Sequence, residues 1–199
     1  MSMSMAMANK KVILANLLAL LMIISLSVGC VEDDKKTNGQ DEGPTDILNL
    51  VFGDYQVNYS LEEIEMLDSY SGTGSYINSI GIISEKLEYT GVQIITLLDE
   101  IPNFPENFSI NVVSDDGWTV NFTQNQTLGH IDVYNETGVI VSNETVVMIL
   151  AYKENGSYYS EIDPDNEIGP LRIAFVGDNV ITSSKLWPKM VGSIEIIAV

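Results

Sequence analysis

Cysteine, arginine and histidine each occur once in this chain of 199 residues, as Cys30, Arg172 and His130. A lone cysteine excludes an intramolecular disulfide and any metal site built from several thiolates. A lone histidine beside Gly129, at the start of a strand pattern, reads as a surface residue, and nothing in the sequence places it next to a nucleophile for triad chemistry. Cations are scarce: nine Lys and Arg stand against 28 Asp and Glu, a formal charge of -19. Lys10 and Lys11 fall in the export segment described below, so the part from Cys30 onward carries -21. Such a surface repels nucleic acid and anionic headgroups, which removes both as partners. It suits a salty exterior, where screening weakens self-repulsion. There is no phosphate-binding loop, because the G-T-G-S run at 72–75 lacks a lysine and a following helix. The crowd of Asp163, Asp165, Asn166 and Glu167 lacks EF-hand spacing and is interrupted by Pro164, so it reads as a solvated turn. No internal repeat is present.

What is present begins with an export signal. Lys10 and Lys11 precede an apolar run at 12–29 that ends in small residues directly before Cys30. The L-S-V-G-C segment resembles a lipobox, with the leucine four residues before the cysteine rather than three. Residues 1–29 are therefore expected to be a signal peptide, with Cys30 lipidated on the outer face of the membrane. The alternative is an uncleaved N-terminal anchor helix, which leaves the bulk of the protein on the same side. Residues 30–45 carry charge, Gly and Pro without apolar periodicity and read as a flexible acidic tether.

The folded part is expected over 46–199. A strand is predicted at 47–52, followed by a helix that starts on a capping box of Ser60 and Glu63 and turns Leu61, Ile64 and Leu67 inward. The Gly/Ser-rich stretch at 69–84 reads as a loop or an irregular strand pair. A turn at Thr90-Gly91 and a short helix burying Ile94, Leu97 and Leu98 come next. Asp115-Asp116-Gly117 between alternating runs is a hairpin signal. Second and third hairpins are expected around 135–138 and 153–156, with further strands at 171–176 and at the last residues. Trp118 and Trp187 read as core or strand-face residues. The pattern predicts an α+β domain, mostly β, with two or more short helices against mixed and antiparallel sheets.

Six segments in order carry a resemblance: S-L-E-E-I, Y-T-G-V-x-x-x-x-L-L-D, V-V-S-D-D-G-W-T-V-N-F, M-I-L-A-Y-K-E-N-G, G-P-L-R-I-A-F-V-G-D and K-L-W-P-K-M-V-G-S-I-E-I. From about Ile47 onward this succession resembles the sulfite-oxidase-like molybdopterin-binding domain in its short, exported, stand-alone form. The resemblance implies that family's mixed fold and a common ancestry with a molybdenum oxidoreductase. In catalytic members a cysteine thiolate between the first helix and the Y-T-G-V segment binds the metal. The corresponding residues 68–89 contain no cysteine, and Cys30 precedes the domain. Arg172, in the G-P-L-R segment, is expected to serve structure. No catalytic residue and no metal ligand is assigned.

Asn-x-Ser/Thr sequons fall at Asn58, Asn107, Asn121, Asn125, Asn135, Asn143 and Asn155, as candidates for N-glycosylation on an archaeal-type surface protein. The reading that follows is a cell-surface lipoprotein whose degenerate, non-catalytic domain serves as a binding or envelope module. It is anchored to the membrane through its lipid, binds a ligand or envelope protein of unknown identity, and is expected to hold no cofactor. The alternatives are a molybdopterin-dependent oxidoreductase with unconventional metal ligation, and a lipoprotein that binds a small solute.

Overall fold

Alternation decides the first layer. In β5 (Phe108–Ser114) every second side chain is buried, so Phe108, Ile110 and Val112 share one face while Ser109 and Asn111 turn outward. Each such aliphatic burial contributes about 2 kcal/mol. Strands β1 (Asp46–Phe52), β2 (Tyr55–Ser60), β6 (Thr119–Thr123) and β13 (Val191–Ala198) join β5 in a five-stranded sheet ordered β2-β1-β13-β5-β6. The β1–β13 pair is parallel and the others are antiparallel. The computed structural model describes residues 45–142, 146–165, 167–178 and 180–199. The expected signal peptide, Cys30 and nearly all of the tether lie outside the described residues, as does the sequon Asn143.

The second layer is a six-stranded sheet that includes β3 (Ser69–Ile77), β4 (Leu87–Gln93), β9 (Val147–Glu154), β10 (Ser157–Tyr158) and β12 (Ile181–Ser183), ordered β10-β9-β4-β3-β12. Its β12–β3 pair is parallel. The wholly buried β11 (Arg172–Val176) pairs with β9. A small hairpin of β7 (Val133–Tyr134) and β8 (Ile140–Ser142) stands apart as its own two-stranded ribbon.

Four short helices connect the described strands. Helix α1 (Leu61–Glu65) starts on the expected capping box: Ser60 Oγ accepts from the Glu63 N–H, and Glu63 Oε2 accepts from the Ser60 N–H at 2.9 Å. A cap of this kind contributes about 1 kcal/mol. Helix α2 (Ile94–Leu98) buries Ile94, Leu97 and Leu98, as read from the sequence. Helices α3 (Gln124–Thr127) and α4 (Tyr159–Ile162) are single turns. The fold is α+β and mostly β.

Three local expectations change. The Gly/Ser-rich stretch forms a nine-residue strand, β3, inside the six-stranded sheet. Its glycines mark close backbone approach: a Cβ on Gly74 would enter the van der Waals space of the Phe175 carbonyl oxygen, and one on Gly72 would meet Val176 Cβ at 3.0 Å. Thr90-Gly91 is a register shift within the continuous strand β4, where Gly91 lies against the Leu150 carbonyl, rather than a turn. Tyr158-Tyr159 passes from the end of β10 straight into α4, so the third hairpin has a shorter second strand than expected.

These contacts separate two kinds of glycine. Gly117 closes the β5–β6 hairpin with φ +86°, and the space where its Cβ would project is open. Gly117→Ala should therefore cost about 1 kcal/mol, from backbone strain alone. Gly91→Ala drives a methyl into backbone and should cost about 3 kcal/mol or more. Thermal unfolding of the two variants checks the order, and an equal effect would refute the close-approach account of β4.

Candidate functional site

β3 ends at Ile77, and the chain returns to β4 through residues 78–86. Asn78 Oδ1 shapes this return by accepting from the N–H groups of Ile80 and Ile82 at 3.1 and 2.9 Å. Ser84 Oγ accepts from the Tyr76 N–H at 3.0 Å and donates to the Glu85 carbonyl at 3.2 Å. Across from it stands the β7–β8 hairpin, whose turn is held by Asn135 Oδ1. That oxygen accepts from Thr137 N–H, Thr137 Oγ1–H and Val139 N–H. The hairpin comes so near β3 that a Cβ on Gly138 would lie 2.9 Å from Ile77 Cδ1.

Between the two segments lies a cleft of about 560 Å³. Its polar lining is Ser75, Ser84, Lys86, Tyr134, Asn135, Glu136 and Asp178, and Ile83, Val133, Val141 and Ile181 form aliphatic walls. Ser75 is buried, and its hydroxyl donates to the Val180 carbonyl at 3.1 Å. The same two segments expose Ile80, Ile82, Val139 and Ile140 to more than half of their surface.

Tyr76, beside Ser75, leads from the cleft to a buried aromatic cluster. Its ring lies 5.3 Å from that of Trp187, and Tyr89 lies 5.3 Å from Trp187 in an edge-on contact. Trp187 Nε1 donates to Thr182 Oγ1 at 2.7 Å. The Arg172 guanidinium sits over the rings of Trp187 and Tyr89 at 5.4 and 5.6 Å, and it pairs with Glu154 at 3.7 Å. Arg172 is thus placed in the core, in keeping with the structural role expected of it. Its Nε and the Tyr159 hydroxyl are buried without a well-aligned hydrogen bond. Burial pushes the Tyr89 phenol up to about 12 against the opposing pull of Arg172, with Glu154 adding to the rise. Burial raises Tyr159 further still.

The residues singled out from sequence are scattered around this site. Asn135 lies on the cleft, half-buried. Asn58, Asn107, Asn121, Asn125 and Asn155 are exposed, with Asn58 and Asn121 on the edge strands β2 and β6. His130 is exposed next to Asp132 in a neighbouring depression. Asp163 accepts from the Ile168 N–H and so closes its own turn. Among the described residues no group of three or more His, Cys, Asp or Glu is arranged to hold a metal.

Sequence reasoning missed Lys86, Tyr134 and Asp178, because only the fold brings these distant positions together. It also misjudged Trp118. Read as a core or strand-face residue, it sits in the turn ahead of β6 and is 63% exposed.

No family model matches the chain, and no curated protein matches it. Among solved structures it is similar to the sulfane dehydrogenase SoxCD from Paracoccus pantotrophus, at 16% identity and a TM-score of 0.54. The match covers 75% of this chain and 37% of that one, so the chain spans little more than a third of the protein it resembles. At this identity the likeness establishes a distant sulfite-oxidase-like fold.

The buried phenols set a pH response. An unfolded tyrosine ionises near pH 10, roughly its free value, whereas Tyr89 resists to about 12. The unfolded state therefore releases its proton first. The contribution is intact below pH 10 and is lost as pH rises from 10 toward 12, by up to about 1.4 kcal/mol per pH unit and group. Melting temperatures of the wild type, Tyr89→Phe and Tyr159→Phe from pH 8 to 11.5 test this. Each variant should show a shallower alkaline loss, and superimposable curves would refute the assignment.

Proposed function

We propose that the protein is a cell-surface lipoprotein whose sulfite-oxidase-like domain binds a ligand and performs no redox chemistry. The observation that carries this reading is the donor set of the cleft at the end of β3. In the resembled family the metal-binding thiolate lies between the first helix and the Y-T-G-V segment. Here that interval contributes Ser75, Ile83, Ser84 and Lys86 to the cleft, and the domain contains no cysteine.

The residues present do not fit a molybdenum–pterin group. Hydroxyls are poor ligands for a metal that prefers soft thiolate, and those of Ser75 and Ser84 already bond to backbone groups. The anionic pterin phosphate calls for cations, whereas the cleft is lined by one lysine, Lys86, and two carboxylates, Glu136 and Asp178. The domain from Asp46 onward adds long-range repulsion, with 23 carboxylates against five cations. A cleft with aliphatic walls and a few convergent polar groups suits a bound molecule held by contact and hydrogen bonds. Export and lipidation at Cys30 rest on the sequence signal, and glycans at the exposed sequons would suit the same external setting.

Two measurements on protein from a molybdenum-replete native host test this. Elemental analysis should find no stoichiometric molybdenum or tungsten, and a dye-reduction assay should show no oxidation of sulfite or sulfane sulfur. Near-stoichiometric metal would sink the non-catalytic reading. Intact mass should show loss of residues 1–29 and a lipid on Cys30. A retained N-terminus would replace the lipoprotein with an anchor-helix protein.

A further inference from the structure

The cleft is not isolated. Two shallower depressions, of about 310 and 300 Å³, follow it along residues 181–190. Ile181 lines the cleft, Ser183 and Leu186 line the second depression, and Pro188 and Lys189 line the third. Tyr134 is shared by the first and second, and Lys185 by the second and third. The shared side chains set the three in a row, an interrupted groove along β12 and the segment that follows it.

Its charge pattern is unlike that of the rest of the domain. Lys86, Lys185 and Lys189 all line it, and the remaining cations of the domain, Lys153 and Arg172, lie outside its lining. Each depression is lined by at least one lysine and at least one carboxylate: Lys86, Glu136 and Asp178 in the first, Lys185 and Asp132 in the second, and Lys185, Lys189, Asp116 and Glu167 in the third. A polyanion would meet carboxylates at every step, and a polycation would meet an ammonium. The exposed indole of Trp118 and the half-buried ring of Tyr134 add two apolar faces along the path.

We propose that this groove binds an extended, uncharged oligosaccharide. Sugar hydroxyls donate to carboxylates and accept from ammonium groups, in charge-assisted bonds worth more than neutral ones. The C–H face of a sugar ring packs on an aromatic face. A neutral chain also escapes the repulsion that the domain's net charge imposes on any anion. A peptide adding to the edge of β12 is disfavoured, because the β7–β8 hairpin flanks the groove alongside β12. The inference rests on the binding-module reading and names its ligand class.

The test uses the full-length protein in detergent and an array of neutral and anionic glycans with a peptide library beside it. Hits are titrated by tryptophan fluorescence, with Trp118→Phe as the control that separates the exposed Trp118 from Trp187, which also lines the third depression. At least one neutral glycan should bind saturably, with affinity rising at least tenfold from the monosaccharide to the hexasaccharide. Calorimetry should show Trp118→Ala and Lys185→Ala each weakening the hexasaccharide tenfold or more, while Lys153→Ala, outside the groove, leaves it unchanged. Circular dichroism should show native spectra for all three. Absence of any neutral glycan, preference for anionic glycans or peptides, equal affinity for one sugar and six, or undiminished binding by both groove variants would each overturn the proposal. A metal-free protein that binds no glycan refutes this inference alone, whereas a molybdenum-loaded one refutes the reading beneath it.

Discussion

The close approach of β3 to β11 is the constraint on which the rest depends. Gly72 and Gly74 let the β3 backbone lie against Val176 and Phe175, and the Gly177 N–H donates to the Thr73 carbonyl at 3.0 Å. That contact brings the buried strand β11 across the sheet and seats Trp187 against Gly74. Trp187 in turn carries the ring contacts of Tyr76 and Tyr89 and one wall of the Arg172 site. A larger side chain at Gly74 would displace backbone and indole together, because interiors are packed too densely to absorb the shift.

The cluster above that contact explains why a cation survives in an otherwise apolar core. A buried guanidinium is costly unless it is paired and covered. Glu154 supplies the opposite charge, and the rings of Trp187 and Tyr89 supply electron-rich faces. The cation stabilises packing here and does not face the cleft, which leaves Lys86 as the only cation among the cleft's lining residues. Among the described residues, Arg172 is turned inward and buried, whereas Lys86, Lys185 and Lys189 line surface depressions.

Local signals in the sequence were faithful where the physics is local. The Ser60–Glu63 cap, the inward face of α2 and the turn at Gly117 each need only residues within a few positions. β2 carries a local signal too, the alternation of Tyr55, Val57 and Tyr59 with Gln56 and Asn58, although the expected order of elements omits it. β3 could not be read this way. Its glycines look like loop residues until β11, a hundred positions later, is placed against them. The cleft shares that origin, because Ser75, Tyr134 and Asp178 meet only after the sheets form. The resemblance to the sulfite-oxidase-like fold came from the order of several weak segments, and the structural likeness to SoxCD agrees with it at the level of fold.

The place of β13 bears on how the protein is made. This strand comes after the twelve others among the described residues yet sits inside the five-stranded sheet, parallel to β1 on one side and antiparallel to β5 on the other. Until Val191–Ala198 has left the ribosome, β1 and β5 have no neighbour to hold them together, and that sheet stays in two halves. A sheet whose described first strand pairs with its described last rests on a contact between residues far apart in sequence, and such contacts form late in folding. Topology here acts as a timer for folding, because closure of this sheet waits on its most distant pairing.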